Sequence, residues 1–196
     1  MTNRYEAGHI AEGQFQAGSD DKVELNLLVQ LTDSVLGDIT DEQIISVDDL
    51  NEWHRRWLGN VYEWAGQYRS VNMGKAEFHF AAAHLIPNLM NSFEKKFLSV
   101  YMPCKGMDDE LLIDALAKVH IEYILVHPFR EGNGRLSRLL ANIMALQAGQ
   151  PMLDFSVMDE KKAEYFAAIQ AGLENYEPMK VIFRQVLRET QKNAGG

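Results

Sequence analysis

Hydrophobic residues recur at every third or fourth position along most of this chain, which is the spacing expected of helices with one buried face. The helices that this pattern predicts span residues 20–36, 46–58, 82–100, 109–126, 136–146, 156–173 and 179–189. Residues 1–19 are polar and contain three glycines, so we predict an irregular N-terminal arm there. The remaining residues, 20–196, are predicted to form a single all-α domain.

Two details support the helix that is predicted to start near residue 46. Ser46 and Asp49 have the spacing of a capping box, in which each side chain accepts a hydrogen bond from the other residue's backbone N–H. Trp53 and Trp57 lie four residues apart and so share one face of this helix. We interpret both tryptophans as core residues, because aromatic side chains bury large apolar areas.

The helical period is lost between the second and third predicted helices. Val71 and Met73 alternate with polar residues before Gly74-Lys75, and Phe78 and Phe80 alternate after it. This is the pattern of a short β-hairpin that turns at Gly74-Lys75. The same residues also fit a connecting loop whose phenylalanines fill the core, so both structures stay open at this point.

The composition places the chain among folded globular proteins. It has 196 residues, of which 46% are hydrophobic, and a formal net charge of −9. Such an acidic chain is not expected to bind nucleic acid or an anionic membrane non-specifically, because both require a basic surface. The single Cys104 excludes an internal disulfide. Together with the lack of a membrane-length apolar stretch and of a signal-peptide pattern, it predicts a cytoplasmic protein.

The most informative stretch is His127-Pro-Phe-Arg-Glu-Gly-Asn-Gly-Arg-Leu-Ser-Arg138, which joins two predicted helices. Pro128 cannot continue the first helix, since it lacks a backbone N–H. Gly132 and Gly134 allow backbone angles that other residues resist, and they precede the second helix, which we expect to begin near Arg135. The unpaired N–H groups at such a helix start attract anions.

The charged residues of the same stretch fit a bound polyphosphate. Arg135 and Arg138 are three residues apart and project from one face of the first helical turn, where two guanidiniums suit a polyphosphate. Glu131 cannot face phosphates directly, but it can hold Mg²⁺ between itself and them. His127 can take a proton from an incoming hydroxyl. The residues by themselves therefore suggest transfer of part of a nucleotide to an acceptor.

Each of these residues also has an ordinary explanation when it is taken singly. A histidine before a proline can simply end a helix, Glu131 can be a solvated charge, and Gly132-Asn133-Gly134 can be a tight turn. Arg135 and Arg138 can form an exposed face or pair with nearby carboxylates. Their occurrence together within twelve residues favours the functional interpretation.

The stretch resembles the HPFx(D/E)GNGRxxR motif of the Fic-domain (filamentation induced by cAMP) proteins at every fixed position. Upstream, Tyr62-Glu-Trp-Ala-Gly-Gln-Tyr-Arg69 is similar to the WAGxxR segment that leads into the family's target-docking flap. With the helices around them, the two segments cover about residues 50–188. The resemblance implies a Fic-type helical bundle with a short β-hairpin flap, formed here by Arg69–Phe80.

The same resemblance implies a protein adenylyltransferase, which moves AMP from ATP to a Tyr, Thr or Ser hydroxyl of a target protein and releases pyrophosphate. His127 would be the general base and Glu131 the Mg²⁺ ligand. The anion hole and the phosphate contacts would come from Gly132, Asn133 with its amide, Gly134, Arg135 and Arg138. An extended target segment would be held by strand addition beside Lys75, Phe78, His79 and Phe80.

Regulation is where the chain departs from part of the family. Many Fic proteins carry an inhibitory helix with the pattern Ser/Thr-x-x-x-Glu-Gly/Asn, whose glutamate pairs with the second motif arginine. Here Glu12 and Glu174 lack the hydroxyl residue, and Glu160 lacks the following glycine or asparagine. Either a small separate antitoxin supplies the glutamate to Arg138, or a degenerate element does so in cis. We favour the antitoxin, which would make this chain the toxin of a toxin–antitoxin pair.

Other functions stay open beside AMP transfer. Related death-on-curing proteins transfer the γ-phosphate, but their motif departs from GNGR, so the intact motif here argues against a kinase. Some family members transfer UMP or phosphocholine, and nothing in the motif excludes those donors. The chain also fits an inactive module that docks a peptide through Arg69–Phe80, although the retained His127, Glu131 and arginines speak against it. The oligomeric state stays open.

Overall fold

The computed structural model describes residues 19–195, so the predicted N-terminal arm lies outside the described residues except for Ser19. The helices and strands are α1 Ser19–Asp38, α2 Val47–Leu58, β1 Gly74–Lys75, β2 Phe78–His79, α3 Ile86–Phe93, α4 Ser99–Tyr101, α5 Asp109–Val126, α6 Asn133–Gln147, α7 Ser156–Glu160, α8 Lys162–Ala171 and α9 Glu177–Ala194. A 3₁₀ turn, Ala83–Leu85, precedes α3, and a π-helical stretch, Glu94–Leu98, joins α3 to α4. The predicted all-α fold with one short hairpin is confirmed. Over this described part of the chain, no helix has the length and apolar composition needed to cross a bilayer.

Helices α5 and α6 form the centre of the molecule. They pack against each other, and α5 also packs against α3 and α9. Leu116, Ile121 and Tyr123 of α5 are almost completely buried, as are Leu140 and Ile143 of α6. Burial of such side chains is the main favourable contribution to folding. It therefore holds in place the two helix ends between which the motif stretch lies.

The predicted start of α2 is confirmed. Ser46 Oγ accepts a hydrogen bond from the Asp49 N–H (3.1 Å), and an Asp49 carboxylate oxygen accepts one from the Ser46 N–H (2.8 Å). The capping box satisfies N–H groups that the start of a helix would leave without partners. Trp53 and Trp57 are both buried, as predicted, and Trp57 lies beneath the motif stretch.

The predicted hairpin forms, but its turn lies at Ala76-Glu77 rather than at Gly74-Lys75. Ala76 has a φ of 53°, which is the left-handed conformation that tight hairpin turns use. Gly74 has a different purpose: a Cβ at this position would lie 2.6 Å from the carbonyl oxygen of Phe78. The glycine therefore permits close approach of the two strands instead of forming the turn.

Two of the predicted helices are interrupted. The one predicted over 82–100 consists of the 3₁₀ turn, α3, the π-helical stretch and α4. Pro87 lies in the first turn of α3, where its missing N–H removes no helical hydrogen bond. The helix predicted over 156–173 divides into α7 and α8 at Lys161, whose backbone leaves the helical region (φ −106°, ψ 45°).

Candidate active site

A cavity of about 460 Å³ opens between the motif stretch, α1, the flap and α8. All seven motif residues that were expected to act in the site line this cavity: His127, Glu131, Gly132, Asn133, Gly134, Arg135 and Arg138. Of the flap residues predicted to hold a target, Lys75 and Phe80 also line it, whereas Phe78 and His79 lie outside its lining. Folding thus joins the motif stretch to residues from α1, the flap, α5, α7 and α8.

His127 is held both by its backbone and by its ring. Its φ of 51° is left-handed, which confirms that the chain leaves α5 at this residue. Arg69 Nε donates to the His127 carbonyl oxygen (2.7 Å). The imidazole stacks on the ring of Phe80, with the two ring centroids 3.8 Å apart. The expected general base therefore has a defined orientation beside the cavity.

Arg69, the last residue of the WAGxxR segment, joins the flap to the end of α5. Its guanidinium donates to the carbonyl oxygens of Val71, Ala81, Val126 and His127. The side chain is only 2% exposed, and its charge tolerates burial because its N–H groups meet these oxygens. Since Val71 and Ala81 flank the hairpin, Arg69 connects both ends of the flap to the expected base.

The two glycines of the motif differ in what they require. Helix α6 begins at Asn133, earlier than predicted, and Gly132 is its N-cap. Gly132 has a φ of 82°, and a Cβ there would lie 2.6 Å from the Trp57 ring, so two separate constraints demand glycine. The prediction that Gly134 needs the same freedom is wrong, because it lies inside the helix and a Cβ there would meet nothing within 4 Å.

The side chain of Asn133 closes the motif loop. Its NH₂ group donates to the Phe129 carbonyl oxygen (2.8 Å), and its Oδ1 accepts from the Phe129 N–H (2.9 Å). Asn133 is 1% exposed, and Phe129 is completely buried. The side-chain amide of Asn133 therefore holds the loop through both its oxygen and its nitrogen, and its contact with phosphate stays a prediction.

Arg135 lies between two carboxylates and an indole ring. Its guanidinium is 2.8 Å from a Glu131 oxygen, 3.1 Å from a Glu24 oxygen and 4.6 Å from the Trp57 ring centroid. Stacking on Trp57 orients the planar guanidinium, and the two carboxylates compensate its charge. The arginine is thereby presented to the cavity in one orientation.

Glu24 is a site residue that the sequence analysis missed. It is 4% exposed although its neighbours Val23 and Leu25 are exposed, and it reaches the cavity from α1. Its second carboxylate oxygen accepts from the Tyr62 hydroxyl (2.7 Å). The only signal in the sequence is one acidic residue between two aliphatic ones, which does not reveal that the aliphatic pair faces outward.

Arg138 is paired in a second, more exposed ion pair. Its guanidinium donates to both carboxylate oxygens of Asp159, at 2.7 and 3.1 Å, and lies 5.2 Å from the Phe155 ring centroid. The Asp159 side chain is 56% exposed. Both motif arginines therefore have acidic partners contributed by other elements of the fold.

Helices α5, α7 and α8 contribute apolar side chains to the cavity lining, which are those of Ile124, Met158, Phe166 and Ile169. Tyr165 adds a hydroxyl that is hydrogen-bonded to Nε2 of the buried His120 (2.8 Å). Burial lowers the pKa of His120 to about 3 and raises that of Tyr165 to about 12, so both are neutral near pH 7. Lys162 of α8 and Lys75 of the flap also line the cavity and add positive charge near these apolar side chains.

The donor set fits Mg²⁺ only together with a phosphate. Within residues 19–195, no three His, Cys, Asp or Glu side chains lie close enough to hold a metal ion by themselves. Mg²⁺ at phosphate-transfer sites is commonly held by one or two carboxylates plus the substrate phosphates. Glu131 brings one carboxylate to the cavity, and its contacts with the Gly132 N–H and with Arg135 both use Oε1.

Solved structures share this fold. The FIC domain of Bep8 from Bartonella sp. 1-1C has a TM-score of 0.73 at 19% identity, over 90% of this chain and 88% of that one. BepC from Bartonella tribocorum, solved with bound AMPPNP, has a TM-score of 0.67 at 20% identity, over 94% and 98%. Fic-1 from Caenorhabditis elegans has a TM-score of 0.64 at 26% identity, over 97% and 55%.

Sequence relatives agree with the structures. A protein adenylyltransferase Fic from Nematostella vectensis is 31% identical over 157 residues, which are 79% of this chain and 34% of that protein. The fic-1 adenylyltransferase of Caenorhabditis elegans is 29% identical over 153 residues, 75% of this chain and 27% of that protein. The chain thus spans about a third or less of the length of these relatives. A profile of the Fic/DOC family matches residues 44–145, more than half of the chain, and the chain therefore belongs to the Fic/DOC family.

Proposed function

We propose that this chain is a protein adenylyltransferase, which moves AMP from ATP to a hydroxyl side chain of a target protein. The observation that carries the proposal is a single cavity faced by an imidazole, two arginines and a helix N-terminus. The relatives named protein adenylyltransferase support it, as does the bound AMPPNP in BepC.

In the proposed reaction, the hydroxyl of a target Tyr, Thr or Ser attacks the α-phosphorus in line with the leaving group. His127 takes the hydroxyl proton, a new O–P bond joins AMP to the target, and the bond to the β-phosphate breaks to release pyrophosphate. The backbone N–H groups of Gly132, Asn133 and Gly134 and the Arg135 guanidinium receive the charge that develops on the phosphate oxygens. Arg138 binds the γ-phosphate.

Glu131 is the proposed ligand of Mg²⁺. If held there together with ATP, Mg²⁺ would supply positive charge that offsets the charge of the phosphates. The contacts of Glu131 with the Gly132 N–H and with Arg135 both use Oε1, so Oε2 could bind the cation while Arg135 keeps its contact. The apolar side chains of Phe166 and Ile169, which line the cavity, suit the flat base of the nucleotide.

The flap is proposed to dock the target by strand addition. Its sheet has two strands within the described chain, so each strand has a free edge to which an extended segment can hydrogen-bond. Lys75 and His79 are exposed and available to such a segment, and Phe78 is partly exposed. Phe80 is buried against His127, so we assign it to holding the base instead of the target.

We infer that inhibition acts in cis through Glu24. This carboxylate is buried in the cavity on Arg135, whereas Glu174 and Glu160 are exposed and Glu12 lies outside the described residues. An antitoxin that supplied a glutamate to Arg138 would first have to displace Asp159. A toxin–antitoxin pair is the second candidate, and the lack of a full inhibitory pattern in the sequence favours it.

A cytoplasmic location stays a prediction, which the free Cys104 supports.

Labelled nucleotides test the proposed activity. Incubation of the purified chain and a cell lysate with Mg²⁺ and ATP labelled at the α-phosphate should label protein, and γ-labelled ATP should not. Transfer of the γ-label instead would mean a kinase. Transfer of neither label, by the wild type or by a Glu24→Gln variant, would favour an inactive docking module. Parallel reactions with labelled UTP and CDP-choline decide between AMP and the other donors.

His127→Ala should reduce AMP transfer by at least ~100-fold, because the carboxylates that also line the cavity, those of Glu24, Glu131 and Asp159, are paired with Arg135 or Arg138. ATP affinity should change little, since the arginines and amides remain. The measurements are α-label transfer and nucleotide binding by calorimetry. His84→Ala, which changes an exposed histidine on the 3₁₀ turn, is the control. If the His127→Ala variant were as active as the wild type, His127 could not be the general base.

A further inference from the structure

The imidazole of His54 is completely buried and contacts the motif stretch on the side of the core. It lies on α2, and its ring stacks on the ring of Phe129 with centroids 3.8 Å apart and planes inclined by 12°. Its Nε2 is 3.1 Å from the Glu131 carbonyl oxygen, and its Nδ1 is 2.8 Å from the backbone N of Gly66. One side chain thus joins α2, the WAGxxR segment and the motif stretch.

These two contacts define the tautomer of His54. The Gly66 N–H can only donate, so Nδ1 must be the acceptor and must carry no proton. The ring proton is then on Nε2, from which it is donated to the Glu131 carbonyl. Burial, with a smaller contribution from nearby Arg135, lowers the pKa of His54 to about 4. The geometry of the two hydrogen bonds by itself fixes which ring nitrogen donates and which accepts.

The Glu131 carbonyl and the Gly132 N–H belong to one peptide group. In a planar trans peptide the C=O and N–H bonds point in opposite directions. Because the carbonyl points towards His54 in the core, the N–H must point the other way, and it donates to the Glu131 carboxylate on the cavity side (2.9 Å). Glycine tolerates positive and negative φ, so local sterics alone do not prevent this peptide from flipping.

We propose that His54 is a positioning residue, whose Nε2–H keeps the Gly132 N–H on the cavity side, where a reacting phosphate would take the place of the Glu131 carboxylate as its acceptor. His54 does not touch the substrate. It acts through the 131–132 peptide, by holding the carbonyl that would otherwise be free to rotate into the cavity and repel phosphate. The part of this inference that concerns phosphate rests on the proposed AMP transfer, while the part that concerns the peptide does not.

Two substitutions separate the two hydrogen bonds of the ring. His54→Gln places an N–H donor near the position of Nε2, so it keeps the bond to Glu131 and gives up the bond to Gly66. His54→Asn places an acceptor near Nδ1, so it keeps the bond to Gly66 and gives up the bond to Glu131. Both remove the stacking on Phe129, and similar unfolding temperatures for the two variants would show that they are matched in stability.

The rate of α-label self-modification at saturating ATP and the ATP dissociation constant are measured for each variant. Removal of an anion-hole donor typically costs ~10²–10³ in rate, so His54→Asn should lose at least ~10-fold in rate with a smaller change in ATP affinity. His54→Gln should stay within ~3-fold of wild type by the same reasoning. Equal losses in both variants would mean a purely structural role and overturn the proposal.

A second readout does not depend on catalysis. The chain has 14 glycines, and ¹⁵N-glycine labelling resolves the Gly132 amide resonance in the intact protein. It should shift strongly in His54→Asn and keep its wild-type position in His54→Gln. An unchanged Gly132 resonance in His54→Asn overturns the proposal whatever the activities are. If neither the wild type nor the Glu24→Gln variant transfers label, the proposed function fails, and this resonance alone decides the inference about His54.

Discussion

The ion pairs of two arginines determine whether the candidate site can bind the phosphates of ATP. Arg135 contacts Glu24 and Glu131, and Arg138 contacts Asp159. Breaking a buried ion pair costs several kcal/mol because one charge is left uncompensated, whereas an exposed pair contributes about 1 kcal/mol or less. Glu24 is 4% exposed and the Asp159 side chain 56%. ATP should therefore displace Asp159 readily, but should free Arg135 from Glu24 only if α1 moves.

Glu24→Gln should raise the rate of AMP transfer several-fold or more. The amide keeps an oxygen for the Tyr62 hydroxyl but removes the negative charge that competes with phosphate for Arg135. The measurement is α-label self-modification of the purified chain. Glu174→Gln, at an exposed carboxylate outside the cavity lining, is the matched control and should behave as wild type. Activation by the Glu174 change, with none by the Glu24 change, would refute inhibition through Glu24.

Gly132→Ala and Gly134→Ala should have opposite effects on stability. At Gly132 the new methyl group would meet the Trp57 ring and force alanine into a left-handed conformation, which costs about 1–3 kcal/mol before any clash is counted. At Gly134 it would meet nothing and would improve the helix by up to about 1 kcal/mol. Urea unfolding compares the two. Equal destabilisation of both variants would contradict this geometry.

At the scale of elements, the flap does more than offer a strand edge. Phe80 stacks on His127, Phe78 packs edge-on against Phe80, and Phe78 also packs edge-on against Phe166 of α8. Lys75 Nζ lies 5.3 Å from the Phe166 ring centroid. The hairpin therefore contacts both His127, at the end of α5, and Phe166 of α8. A target segment that binds to the flap can thus affect the orientation of the His127 ring through these ring contacts.

Phe80→Leu should lower the AMP-transfer rate by about tenfold at saturating ATP, because the imidazole loses the ring that orients it. Nucleotide affinity should stay near the wild-type value, since the arginines and backbone amides are unchanged. Val71→Ala, on the same flap but with an exposed side chain, is the control. A loss of ATP affinity in place of rate would show that Phe80 acts on the nucleotide rather than on His127.

At the scale of the whole molecule, two buried histidines couple folding to pH. The ordinary histidine pKa of 6.5 falls to about 4 for His54 and to about 3 for His120, in both cases mainly through burial. Between pH 6.5 and about 4 the unfolded chain therefore binds more protons than the folded chain. Stability must fall as the pH is lowered through this window.

The urea midpoint of the wild-type chain should decrease between pH 7 and pH 4.5, and His120→Gln should decrease less. Glutamine cannot be protonated in this range, so the variant loses one of the groups that favour unfolding in acid. Carboxylates titrate equally in both chains and cancel in the comparison. Parallel pH dependences of the two midpoints would mean that His120 is not held neutral by the fold.

Much of the fold followed from local patterns. The capping box at Ser46, the stop before Pro128 and the apolar period of α5 involve residues within a few positions of one another, and all three were predicted correctly. The errors concern the helices predicted over 82–100 and 156–173, where the same spacing of apolar residues is compatible with more than one backbone conformation. Such a period cannot distinguish an α-helix from a π-helical stretch, or reveal the break at Lys161, because one face stays buried in either case.

What the sequence determined by itself was the chemistry of the candidate site, because the imidazole, the carboxylate and the two arginines lie within twelve residues bounded by two helices. Only the tertiary structure decided which groups surround them. Glu24 meets Arg135 across 111 positions, and His54 meets Glu131 across 77. Contacts over such separations produce no periodic pattern in the sequence, because they depend on how whole helices pack. These are the contacts that hold the motif loop in place and pair Arg135 with a carboxylate.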